Sequence, residues 1–541
     1  MQRLTYVVTA AVVGVALYHF YVALTGVPEP MMVRPVHVSA LIFLGFLFYP
    51  LRRGGEDVEE GHLGSPHWSD WVLAVLGIAS AIYLINDYER IAFRFAYLDP
   101  LTVGDWVFGL LTIVLVFELT RRIVGVALPL IILVFVAFTL LGPHLPGPLR
   151  HPGVSVEKLL DHIFLTSKGL YGSLTALSLS VVFMFIAFGA FLQAAGGERM
   201  LSQLIVAVTR TRRGGPAKAA VVSSVVFGAL TGSGAANVYA TGAVTIPLMK
   251  RAGYRREFAA AVEACSSQLG QLLPPVMGAA AFIVAEFSRV SYAYVATAAL
   301  VPSFFYVMAL YLAVHIESEK ADIGIFREGD EGTTLGTILR RYGHLALPLV
   351  ILIVLLVERF TPYFAATIAT LSIIPVSWLR RETRMMPRQM LTALRMTVFR
   401  SVSIGVVLVC AGIGVATLEM TGVPYKVTSM LVSVSGGNML LGVIIIGLMT
   451  IVLGFGMPVA GAFLIASLFG AQALIDFGLD PFSAYMIIFL FALTANITPP
   501  VCVATFAAAS IAKCSFMKAG WCGLRLGFPA YIIPIVIAFN P

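Results

Sequence analysis

Within otherwise apolar sequence, two groups of residues have the types and spacing to hold a dehydrated cation beside a polar ligand. The first joins Thr231-Gly-Ser-Gly-Ala-Ala-Asn237 to Gln268-Leu-Gly-Gln-Leu-Leu-Pro-Pro275. The second joins Gly454-Phe-Gly-Met-Pro458 to Thr494-Ala-Asn-Ile-Thr-Pro-Pro500. Carbonyls at Gly232, Ser233, Gly270, Pro274, Gly454, Gly456 and Pro499, with the hydroxyls of Ser233, Thr494 and Thr498, suit Na⁺, a hard cation that needs no charged cage. Asn237, Gln268, Gln271 and Asn496, with Ser233 and Met457 at the tips, are candidates for reading a polar substrate. N-termini of interrupted helices offer N–H groups and partial positive charge to an anion. Other chemistries lack their residues. No Walker-type Gly-Lys-Ser/Thr loop occurs, no two histidines stand at H-x-x-x-H spacing, and the five cysteines form no C-x-x-C pair. No nucleophile–base pair suggests an enzyme, and no continuous polar lining suggests a channel.

The elements around these groups are short. Ala217–Leu230 and a second limb ending near Met249 flank the first tip, each about 20 Å at ~1.5 Å per residue. A hydrocarbon core of roughly 30 Å is too thick for either, so 217–249 reads as a re-entrant hairpin. The apolar helix 258–286 is interrupted at its Pro pair, where a donor is lost and backbone is freed. The pattern returns as hairpin 440–475 and broken helix 481–512. From Ser233 to Pro274 is 41 residues and from Met457 to Pro499 is 42. Paired interruptions in two halves point to a secondary-transport site. Glu263 lies two helical turns inside the Arg255/Arg256 end and is expected to pair there or snorkel outward, although a membrane carboxylate is functional by default.

Of 541 residues, 59% are hydrophobic and 12% charged, with a mean hydropathy of +0.91, which describes an all-α polytopic membrane protein. The net charge of +8 sits in loops beside apolar spans and fits contact with anionic lipid, not nucleic acid. The organisation expected is a four-helix region at 1–122, a first repeat at 123–316, a polar cytoplasmic linker at 317–341 and a second repeat at 342–541. The run 4–25 is expected to be a retained first span. Val156–Leu165 reads as an interfacial arm with Glu157, Lys158 and Asp161 on its polar side. A second arm is expected at Thr383–Arg395, before a span at Ser401–Leu418. Arg52/Arg53 and Arg121/Arg122 place those loops, and the N-terminus, in the cytoplasm. Nine basic residues flank the first hairpin, from Arg199 to Arg256, whereas Lys426 alone serves the second between Glu419 and Asp480. The repeats are therefore expected to be inverted, with their tips meeting near the midplane.

At these residues the sequence resembles the membrane component of tripartite ATP-independent periplasmic (TRAP) transporters, and more narrowly the TAXI type with fused small and large subunits. The resemblance rests on Gly232–Asn237 with Thr245-Ile-Pro-Leu-Met-Lys-Arg-Ala-Gly-Tyr254, on Pro274–Glu286, and on Ile497–Val501 followed by Ala507–Ala512. Gly234 stands where the family usually has a second serine, Val459-Ala460 where it has Thr-Thr, and Asn496 where it often has an acid. The resemblance implies an elevator in the bacterial inner membrane, with Na⁺ as coupling ion and a small organic anion, commonly a carboxylate, as substrate. It also implies delivery by a separate periplasmic TAXI-type binding protein, the fused chain working as one piece. A proton-coupled transporter, or an inverted-repeat elevator exchanger without a binding protein, is the alternative.

The charge asymmetry makes a direct prediction. In a cysteine-free background, a thiol at Gly214 is labelled from the cytoplasm and one at Gly437 from outside. Labelling with the sides exchanged would rule out the inverted arrangement.

Overall fold

The computed structural model describes residues 2–26, 29–51, 66–147, 150–197, 199–200, 203–204, 207, 213–325 and 335–540. Arg52, Arg53, Arg210 and Arg212, on which part of the topology reading rests, lie outside them. The described residues are helical with no strand. Nine of their helices are long and apolar enough to cross a membrane. Five shorter apolar helices, Gly215–Thr231, Ala279–Ser288, Met439–Leu453, Pro481–Ala495 and Val503–Ala512, fall in the two hairpins and two broken helices.

The chain forms two compact units, 1–187 with 391–434 and 188–390 with 435–541. In the first, the N-terminal helices Gln2–Thr25, Pro30–Phe48, Trp68–Asn86 and Val103–Val124 accompany the arm Val156–Phe164. Ser155 caps the arm by accepting from the Lys158 N–H at 3.3 Å. Glu157 and Lys158 are exposed as expected, but Asp161 is not on the polar side. It is buried and accepts from both Arg94 Nη atoms and from the Tyr97 N–H at 2.7 Å. A carboxylate this enclosed needs such donors. The second arm is also not separate: Pro387–Glu419 is one 33-residue helix that takes in the expected span. The expected linker is helical at both ends, since Tyr292–Lys320 runs into it and Leu335–Tyr342 leads out. Its middle, 326–334, lies outside the described residues.

The second unit carries both hairpins and both broken helices. Hairpin one is Gly215–Thr231 and Gly234–Arg251; hairpin two is Met439–Leu453 and Val459–Asp476. The broken helices are Arg256–Gly270 with Ala279–Ser288, and Pro481–Ala495 with Val503–Ala512. Each boundary has a local cause. Gly232 closes the first limb in the left-handed region at φ 66°, where a Cβ is disfavoured. Asp480 caps the second broken helix through the Ser483 N–H at 3.1 Å. The Pro274–Pro275 and Pro499–Pro500 bonds are both cis. The leading half Arg256–Gly270 is packed by both limbs of hairpin one and by Val503–Ala512, which ties the two repeats together.

Hairpin one crosses the leading half-helix where two glycines meet. A Cβ on Gly228 would stand 2.8 Å from Gly270 Cα, and one on Gly270 would strike the Gly228 backbone. Backbone cannot swing aside as a side chain can. Gly270→Ala and Gly228→Ala should therefore each destabilise the purified protein by about 1–3 kcal/mol, read as a lower thermal midpoint. Gly343→Ala, with nothing within 4 Å of the new methyl, should leave the midpoint in place. Equal midpoints for all three would refute this crossing.

Candidate functional site

The first tip is built by the ends of four half-length elements. Gly215–Thr231 ends on it with carbonyls its own helix cannot use, and Gly234–Arg251 begins on it with N–H groups in the same condition. Ser233 lies between them with an extended backbone (φ −132°), and its hydroxyl caps nothing. That side chain is partly exposed. Gly232 rests on the break of the neighbouring helix, since its Cβ position would lie 2.5 Å from the Met277 carbonyl oxygen. Gln268 and Gln271 stand opposite: a Cβ on Gly234 would collide with Gln268 and lie 2.8 Å from Gln271 Nε2. The two glutamines are bonded Gln271 Nε2 to Gln268 Oε1. The expected residues Gly232, Ser233, Gly270, Gln268 and Gln271 are thus gathered by the structure, and Gly234 is what lets the tip approach the glutamines.

Asn237 is placed differently. It is fully buried, and its amide donates to the Ser224 carbonyl at 2.6 Å, joining the limbs below the tip. Pro274 is partly buried in the break, where the Tyr292 hydroxyl lies 2.8 Å from both the Pro275 and Val276 carbonyls.

The second tip has the same plan with fewer polar groups. Gly454 sits against Ala495, its Cβ position 2.5 Å from the Ala495 methyl, and Gly456 is left-handed at φ 73° over Val501. Met457 is buried, its N–H reaching the Gly454 carbonyl at 3.2 Å. Thr494 donates to Phe491 O at 2.7 Å, and Thr498 lies 2.6 Å from Thr494 O and 2.7 Å from the Tyr531 hydroxyl. Asn496 is buried and its carbonyl accepts from the Ala504 N–H across the break at Pro499. Each tip therefore packs on the break of its own repeat, and the broken helices pack on one another. Each break also borrows a tyrosine hydroxyl, from Tyr292 and from Tyr531.

Sequence reading missed two groups. Thr231 Oγ1 is buried at the first tip with no partner among the described residues, and only its position before Gly232 could have marked it. Glu263 overturns its expectation. It is fully buried, has no ion-pair partner among the described residues, and neither joins Arg255 and Arg256 nor snorkels. Arg255 pairs instead with Glu317 at 2.9 Å, and Arg256 donates to Lys513 O at 3.4 Å. Four hydroxyls surround the Glu263 carboxyl: Ser224 at 2.7 Å, Ser267 at 3.2 Å, Thr241 and Thr245. The signal was a hydroxyl at one-turn spacing in Thr241 and Thr245, with Ser267 one turn beyond Glu263.

Residues 111–541 match the family described as the tripartite ATP-independent periplasmic transporter, DctM component. The chain is 25% identical over 361 residues to the C4-dicarboxylate TRAP transporter large permease protein DctM of Pseudomonas aeruginosa, covering 66% of this chain and 81% of that one. It is 35% identical over 105 residues to the isethionate TRAP transporter permease protein DctMQ of Oleidesulfovibrio alaskensis, 19% of this chain and 16% of that one. The fold is shared with the YdaH transporter of Alcanivorax borkumensis, described as having an unusual topology, at a TM-score of 0.57 and 15% identity over 76% of this chain and 98% of that one. The chain therefore belongs to the DctM family of TRAP transporters and is a multi-pass secondary-transport permease that works with a periplasmic substrate-binding protein.

Proposed function

We propose that this permease imports a small organic anion, a carboxylate, by Na⁺ symport across the bacterial inner membrane, with its N-terminus in the cytoplasm. In this reading a TAXI-type binding protein delivers the substrate. Residues 1–122 act as a fused small subunit, and the hairpins and broken helices move together as an elevator. The reading rests chiefly on the first tip. There the helix-end carbonyls and N–H groups that their own helices cannot use, with a Ser233 hydroxyl that caps nothing, are held beside Gln268 and Gln271. Carbonyls and a hydroxyl suit an alkali cation, and N–H groups with amides suit a carboxylate. The relatives' names, one a C4-dicarboxylate and one an isethionate permease, agree with an organic anion.

Reconstituted into proteoliposomes with its binding protein, the permease should take up substrate only under an inward Na⁺ gradient. Undiminished uptake in Na⁺-free buffer under a proton gradient would replace sodium by protons as the coupling ion.

Side-chain variants refine the site. Ser233→Ala removes a hydroxyl that makes no bond among the described residues, so its effect should appear in apparent Na⁺ affinity alone. Loss of one buried polar partner, about 1–3 kcal/mol, corresponds to roughly 5- to 150-fold weaker binding. Thr498→Val should weaken Na⁺ as well, and should also lower stability because Tyr531 loses its partner. Ser401→Ala is the control. Unchanged Na⁺ dependence in both tip variants would leave only backbone carbonyls to hold the ion.

A further inference from the structure

We propose that Glu263 is a proton-binding site built between hairpin one and its broken helix, and that the hairpin's hydroxyls set how tightly the proton is held. Three of the four hydroxyls around the carboxyl, Ser224, Thr241 and Thr245, come from the two limbs of the hairpin, and Ser267 comes from Glu263's own helix. Ser224, Thr241 and Ser267 face Oε1, and Thr245 faces Oε2. A buried carboxyl without a counter-ion must either take a proton or be held ionised by donors.

Counting hydrogens shows that this cage serves both states. With the carboxyl ionised, each hydroxyl turns its single hydrogen toward it. With a proton on Oε2, that O–H donates to Thr245 Oγ1. Thr245 then turns its own hydrogen to the Thr241 carbonyl, 3.0 Å away. Thr241 has a comparable second acceptor, the Asn237 carbonyl at 2.9 Å. A proton from water is gained or lost by rotating hydroxyls, with no heavy atom displaced. Here the hydroxyls bond the carboxylate oxygens directly, whereas a metal ion would have to stand between them.

The other ionisable groups on the packed elements are engaged or placed elsewhere. On the hairpin, Lys218 bonds Arg213 O at 2.8 Å and His315 at 3.1 Å, and Lys250 bonds Ala512 O at 3.0 Å. Arg251 lies at the same limb end as Lys250, and Tyr239 is exposed. On Glu263's own helix, Arg256 and Glu257 lie in the first turn, and Cys265 reaches Gly523 O at 3.4 Å. Val503–Ala512 carries no charge before Lys513, and Tyr485 on Pro481–Ala495 meets Phe287 and Phe463 edge-on. Lys518, Cys522 and Arg525 lie on Phe516–Leu526, and Tyr306, Tyr311 and Glu317 on Tyr292–Lys320. None of these bonds Glu263. If the hairpin lifts from the broken helix, the carboxyl loses three of its four hydroxyls, so its proton affinity follows the hairpin.

This does not depend on the sodium reading, and the test uses neither Na⁺ nor substrate. Infrared difference spectra of the purified full chain in Na⁺-free buffer are recorded across pH. The carbonyl stretch of a protonated buried carboxyl should fade as pH rises and be missing in Glu263→Gln. Ser224→Ala, which removes one donor, should move the midpoint by about one pH unit, a tenfold change in proton affinity. Glu257→Gln should change nothing. The same band with the same titration in Glu263→Gln would overturn the assignment. If that variant fails to insert, a midpoint unmoved in both Ser224→Ala and Thr241→Val would overturn it instead.

Discussion

Everything in the second unit follows from one constraint: backbone polar groups at membrane depth must find partners. A continuous helix meets it by itself, but two hairpins and two breaks leave carbonyl and N–H groups unpaired in this chain. Across each break one N–H finds a carbonyl, Gly278 to Gln271 at 2.8 Å and Ala504 to Asn496 at 3.3 Å, and each tip is seated on the break of its own repeat. Gly232 lies on the Met277 carbonyl, and Gly454 and Gly456 lie on Ala495 and Val501. Tyr292 and Tyr531 add hydroxyls at the two breaks. The first tip keeps the Ser233 hydroxyl, which caps nothing, and the buried Thr231 hydroxyl, which has no partner among the described residues. In the proposed reading a ligand completes that set, so the local deficit and the function have one origin.

Close approach is the second requirement, and glycine meets it. Gly228 against Gly270 brings a hairpin limb onto the leading half-helix at backbone distance, and Gly234 makes room for the two glutamines. The same proximity brings Ser224, Thr241 and Thr245 to Glu263. A carboxyl in that position with a partner arginine would be a packing device. With four hydroxyls and no cation beside it among the described residues, it is a group whose charge the hairpin can govern.

The interruptions were legible in the sequence because Gly and Pro act locally. Helix bounds of 215–251 and 439–476 for the hairpins lie within two residues of the ranges read from apolar runs. Side-chain partners were not legible. Asp161 reads as part of a polar face because its neighbours Glu157 and Lys158 are polar, yet Arg94, 67 residues earlier, holds it inside. Sequence distance points Glu263 to the nearby arginines or outward to the interface, but tertiary packing gives those arginines other partners and keeps the carboxyl buried. The second arm was separated from its span by composition alone. From Pro387 onward helical propensity carries through the rest of the Arg- and Met-rich stretch, and Pro387–Glu419 forms one helix.

In the proposed reading the first tip, with the break beside it, is a ligand site and not only a packing motif. A structure of the full chain determined with and without Na⁺ tests this most directly. Ion density should appear at the first tip in Na⁺ alone, against the Ser233 hydroxyl and the carbonyls that end Gly215–Thr231 and Arg256–Gly270. A first tip identical in both structures, with the ion elsewhere or absent, would contradict it.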